Sequence, residues 1–228
     1  MTIWDQTFIQ LFLKGGFAMW PLLFCSILAG AIITERFFYF QRLRFNYQKF
    51  SQKLKALLAG NKFKEAVAEC RKQANPVPRM AGEYLRHLEQ DELRDEILKR
   101  EGSLALEQVE ARLRGLATIT HIAPLLGLLG TVTGLVGAFH KIELLSGQVQ
   151  PGDLAAGIWE ALITTVFGLV IAIPCMAAYH GFESKADKIA RRMQFIVSEL
   201  DEFFDKRSSG RFKAGDTEAV ERDLQAVR

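Results

Sequence analysis

The chain has 228 residues, 49% of them apolar and 24% charged, with a formal net charge of +3. Its basic residues sit beside acidic ones or just outside apolar runs, and no zinc or RNA-reading motif accompanies them, which argues against a nucleic-acid binder. Cys25 and Cys175 fall in apolar runs and Cys70 in a charged one, so no disulfide framework or metal-ligand spacing exists.

In chain order, residues 1–16 hold an amphipathic stretch from Ile3-Trp4 to Phe12-Leu13, which suits a short interfacial helix with Trp4 at headgroup level. A frayed terminus is the equal alternative. Residues 17–40 form a first membrane span, uncharged from Phe17 to Thr34 and followed rather than preceded by basic residues, unlike a cleaved signal peptide. Residues 41–114 are polar with apolar positions at helical spacing, broken at Gly60-Asn61 and at Asn75-Pro76-Val77-Pro78, and predict a helical soluble region.

Residues 115–139 form a second span, with Pro124 in its first half and Gly127, Gly130, Gly134 and Gly137 around Thr131 and Thr133. Because Arg112 and Arg114 lead directly into it, one continuous helix is expected to enter the membrane there. Residues 140–153 make a short link. Residues 154–182 are the third span, and ~1.5 Å per residue over this length crosses a ~30 Å hydrocarbon core. It carries Glu160, Thr164, Thr165 and Pro174, and continues as a polar helix over 183–206 into a tail, 207–228, whose composition predicts disorder. The expected class is all-α: an integral membrane protein with three transmembrane helices, two of them extended into a cytoplasmic helical domain.

Of the 29 Lys and Arg, all but Lys14, Arg36 and Lys141 lie between Gln41 and Arg114 or after Phe182. The positive-inside rule makes those two segments cytoplasmic, and the N-terminus and the 140–153 link external. Thr131 and Thr165 then sit at a similar depth, ~12 to 17 Å from the outer ends of their spans, with Glu160 nearer the outside.

An ionisable side chain within a span is costly and marks a functional site. Glu160, Thr164 and Gly168 recur at i, i+4, i+8 with Thr165 beside them, so one face of this helix is polar. Two readings stand. In one, the hydroxyls and the carboxylate line an ion path, which needs oxygen ligands because hydrocarbon cannot solvate an ion. In the other, Glu160 anchors a neighbouring subunit and each threonine bonds its own helix or glues two helices together. Gly130 and Gly134 form a G-x-x-x-G pair that Gly127 and Gly137 extend into a small-residue packing surface. Pro124 and Pro174 are expected to kink their helices. No nucleophile–base pair, metal cluster or phosphate loop has usable spacing, so neither an enzyme nor a cofactor is expected.

The runs Pro124-Leu-Leu-Gly-Leu-Leu-Gly-Thr-Val-Thr-Gly134 and Gly157-Ile-Trp-Glu-Ala-Leu-Ile-Thr-Thr-Val-Phe-Gly-Leu-Val-Ile-Ala-Ile-Pro174 resemble the MotA/TolQ/ExbB proton-channel family, most closely its ExbB and then its TolQ members. Span order and the large cytoplasmic insertion agree over about Phe17 to Asp205. The resemblance implies a bacterial inner-membrane homopentamer that surrounds a single-span, acidic ExbD/TolR-like partner and drives a TonB/TolA-like transducer. It places Thr131, Glu160 and Thr165 at the pore, with Thr133 and Thr164 as extra hydroxyls beside them. The expected role is an ion-driven motor subunit energising outer-membrane transport. The alternatives are a TolQ-like role in envelope integrity, or a scaffold that binds a partner helix without conducting.

Overall fold

In a computed structural model, residues 12, 15–88, 91–144 and 151–208 are described, apart from the side chains of Asp91, Glu92, Pro151, Asp153, Leu154, Ala156 and Ser208. Nearly all of the N-terminal stretch, residues 145–150 of the link and the tail beyond 208 lie outside the described residues. Among the described residues seven helices follow in order: α1 Met19–Arg42, α2 Tyr47–Ala59, α3 Phe63–Arg71, α4 Pro76–Arg86, α5 Asp91–Glu110, α6 Leu113–Leu144 and α7 Pro151–Ser208. No strand occurs among the described residues. Helices α1, α6 and α7 are long and apolar enough to cross a membrane. The chain is an all-α membrane protein.

Two compact units divide the chain. The first joins the segment up to Phe37 with Arg112–Phe182. Many of its large apolar side chains are exposed, among them Trp20, Phe24 and Ile27 on α1, Leu125, Val132 and Phe139 on α6, and Leu162, Val166 and Ile173 on α7. So broad an apolar surface is a liability in water and fits hydrocarbon or neighbouring membrane helices.

The second unit joins Phe38–Ala111 with the chain from Glu183. Local chemistry sets its helix ends. The Asn46 side chain accepts from the Lys49 amide at 3.3 Å to start α2, and that of Asn75 accepts from the Val77 amide at 3.0 Å to start α4. The break expected across residues 75–78 falls earlier, because Pro76 and Pro78 occupy the first turn of α4, where a missing N–H removes no helix bond. The core holds Leu54, Leu58, Ala66, Cys70, Val77, Tyr84, Ile196 and Leu200.

Polar ties pin the end of α7 into this core. Ser51 donates to Glu199 at 2.6 Å, and Tyr84 donates to Asp201 at 2.6 Å while stacking on Phe204. Burial, then the Asp201 carboxylate, pushes the Tyr84 phenol well above its usual range.

Burial, with the Glu69 carboxylate adding to it, pushes the Cys70 thiol up to about 12. At neutral pH it stays protonated and inert, since the thiolate is the nucleophile. Iodoacetamide is therefore expected to leave Cys70 unmodified in the native protein and to label it after denaturation. Mass spectrometry of the Cys70 peptide checks this.

One sequence expectation is corrected. The second span does not continue the preceding helix as one rod. Helix α5 stops at Glu110, and Arg112 takes a left-handed backbone angle, φ 65°, before α6 begins. That angle costs a non-glycine residue ~1–2 kcal/mol. The Arg112 guanidinium pairs with Glu35 of α1 at 2.5 Å, an ion pair that offsets part of this cost. Of the two spans expected to extend beyond the membrane as unbroken helices, the third does so, since α7 is a single helix of 58 residues.

Candidate functional site

Two stretches of small residues let α6 and α7 meet in antiparallel contact within the first unit. A methyl group at Gly127 would lie 3.0 Å from the Thr164 carbonyl oxygen and 3.0 Å from Thr165 Cα, and one at Gly134 would lie 3.2 Å from Ala161 Cβ. Gly130 faces the Thr164 side chain so closely that no Cβ fits. Backbones this near trade side-chain volume for dense van der Waals contact. Gly137 has nothing within 4 Å of its Cβ position, so within this chain it takes no part. Gly168 does, since its Cβ would lie 2.7 Å from the Ala123 carbonyl oxygen.

Thr164 and Thr165 lie along this contact. Thr164 is fully buried; its hydroxyl donates to the Ala161 carbonyl at 2.7 Å and reaches that of Gly127 at 3.3 Å. The structure thus places it between the helices. Thr165, half-buried, donates across the contact to the same Gly127 carbonyl at 3.1 Å. Thr131, also half-buried, donates to Leu128 at 2.6 Å, and the exposed Thr133 to Leu129 at 3.0 Å or Gly130 at 3.1 Å. Gly127 lies one helical turn from Thr131, so its carbonyl joins the Thr131 level of α6 to Thr165 of α7.

Glu160 is half-buried, one turn from Thr164. Its carboxylate rests on Gly16, where the chain turns at φ 64° into α1. A Cβ at Gly16 would overlap Glu160 Oε1 and lie 3.0 Å from Cδ. The contact puts the carboxylate beside the start of α1, the positive end of that helix dipole. Sequence reasoning missed Gly16. Its signal was the Gly15-Gly16 pair before an apolar run, which marks a turn but not what the turn touches.

Pro124 and Pro174 lie inside helices that continue through them. Each removes one backbone donor from its helix ladder. No group of three or more His, Cys, Asp or Glu suited to a metal occurs among the described residues.

Replacing Gly16 with alanine is expected to destabilise the protein, by ~1–2 kcal/mol from the backbone angle alone, and to displace Glu160. Gly16→Asn tolerates the angle yet still carries a Cβ. It should lower the melting temperature nearly as far as alanine if contact with Glu160 is what requires glycine, and recovery in that variant would assign the requirement to the backbone alone.

A family model described as the MotA/TolQ/ExbB proton channel family matches residues 60–195. The chain is 34% identical over 197 residues to the putative biopolymer transport protein ExbB-like 1 of Synechocystis, covering 83% of this chain and 76% of that protein. It is 30% identical over 209 residues to the biopolymer transport protein exbB1 of Vibrio cholerae, covering 83% and 85%. Similarity to the Tol-Pal system protein TolQ of Pseudomonas aeruginosa reaches 36% over 94 residues, covering 41% of this chain and 40% of that one.

Proposed function

As the chain belongs to the MotA/TolQ/ExbB proton channel family, we propose that it is the ion-path subunit of an inner-membrane motor that couples cation entry to work on the outer membrane. Five copies surround the membrane helices of a single-span, acidic ExbD/TolR-like partner, which supplies the carboxylate that takes the ion. A TonB/TolA-like transducer receives the work. The clustered Lys and Arg put the helical insertion and the end of α7 in the cytoplasm, with the α6–α7 link outside.

The Gly127 carbonyl carries this reading. It ties Thr165 to α6 one turn from Thr131, which supports hydroxyls of two membrane helices at a similar depth, with Glu160 about one turn further along α7. Hydrocarbon offers an ion no ligands, and such a cluster offers several. Thr131, Thr165 and Glu160 are the proposed lining and Thr133 flanks it, while Thr164 holds α7 against α6. The motor needs no catalytic residue and no cofactor of its own.

The stretch shared with TolQ keeps a second role open, in envelope integrity. Complementation separates the two. In bacteria lacking their own ExbB-type subunit, this chain and its acidic partner are expected to restore energised outer-membrane uptake. Rescue of envelope integrity alone would favour the TolQ-like role, and rescue of neither, from an assembled complex, would favour a non-conducting scaffold.

A further inference from the structure

All six threonines of α6 and α7 direct their hydroxyl protons to backbone carbonyls. Thr118 donates to Arg114 at 2.9 Å and Thr120 to Ala117 at 2.6 Å. Thr131, Thr133 and Thr164 bond carbonyls three or four residues back, and Thr165 bonds Gly127 across the contact. A hydroxyl has one proton and two lone pairs, so an oxygen bonded in this way has only acceptor capacity left. No Lys or Arg occurs between Gly115 and Phe139 or between Gly157 and Phe182. In that α7 stretch the other strong side-chain donors are the Trp159 indole near the threonines and, further along, Tyr179 and His180.

We propose that Thr131 and Thr165 act as acceptor-only ligands, so that the transported ion passes as a water-carried cation, hydronium or hydrated sodium, and not as a proton handed through the threonine hydroxyls. This deepens the function proposed above and rests on it. A relay through Thr165 would require its hydroxyl to donate onward, which gives up its bond to Gly127. Solvating a cation needs only the lone pairs and keeps that bond. A lining that presents acceptors but no cations also repels anions. Hydronium and a small metal ion then compete for the same oxygens, whereas a hydroxyl relay would exclude the metal ion.

The test uses the complex of this chain with its acidic single-span partner in liposomes, with proton flux followed by an internal pH dye. Proton flux is expected to fall when external choline, too large to enter, is replaced by sodium or lithium. It is expected to fall about tenfold further in Thr165→Cys than in Thr165→Ser, which also lacks the threonine methyl but keeps the hydroxyl, because sulfur is a weak acceptor. Proton flux that ignores both metal ions, is slowed several-fold in heavy water and is equal in the two variants would overturn the acceptor lining while leaving the motor intact. Chloride flux through the complex would overturn it as well. No cation flux from the assembled wild-type complex would overturn the motor and this inference together.

Discussion

Thr165→Val is expected to abolish partner-dependent cation flux while leaving the protein folded and assembled. Valine matches threonine in shape and removes one hydroxyl, whose bond to Gly127 spans 3.1 Å. The net loss from such a bond is ~1 kcal/mol. The Gly127 carbonyl keeps the Thr164 hydroxyl within 3.3 Å, so the helix contact persists. Thr164→Val is the informative contrast. That side chain is fully buried between α6 and α7, so its loss is expected to lower flux only in proportion to the folded complex. Flux per assembled complex, set beside the melting temperature of each variant, separates the two threonines. Equal flux losses per complex would remove the distinction between a lining and a packing hydroxyl.

The largest stability effect is expected at Gly168. The carbon that alanine adds there would lie 2.7 Å from the Ala123 carbonyl oxygen and 3.2 Å from Gly127 Cα. Both are backbone atoms of α6 at fully buried positions, so no rotamer change relieves the overlap and the helices must part. Overpacking of this kind costs ~1–3 kcal/mol, and Gly168→Val should exceed that range. Parting α6 from α7 also lengthens the Thr165–Gly127 bond, so flux should fall with stability. Gly137→Ala is the matched control, because nothing lies within 4 Å of its Cβ position. Thermal unfolding in detergent is expected to rank the wild type and Gly137→Ala together, well above Gly168→Ala.

The three spans were legible in the sequence because membrane helices announce themselves by uninterrupted apolar length, and α1, α6 and α7 meet that criterion. The small-residue surface was read on α6 from Gly127, Gly130 and Gly134, yet its α7 counterpart, with Gly157, Ala161 and Gly168, emerges only once the antiparallel register is known. Gly137 follows the same spacing but lies off the contact. Periodicity gives a face, while a partner helix decides how much of that face is used. The break at Arg112 was illegible, because arginine favours neither turns nor left-handed angles, and its ion-pair partner Glu35 lies 77 positions away in the sequence. Glu160 stood out as a carboxylate in an apolar run, but nothing local could connect it to Gly16.

The most direct test of the central claim is ion flux into liposomes that hold this chain assembled with its acidic single-span partner, under separate proton and sodium gradients. Inward flux of a cation that requires the partner is the predicted result. A correctly assembled complex that passes neither ion would contradict the motor and leave α6 and α7 as a scaffold for the partner helix.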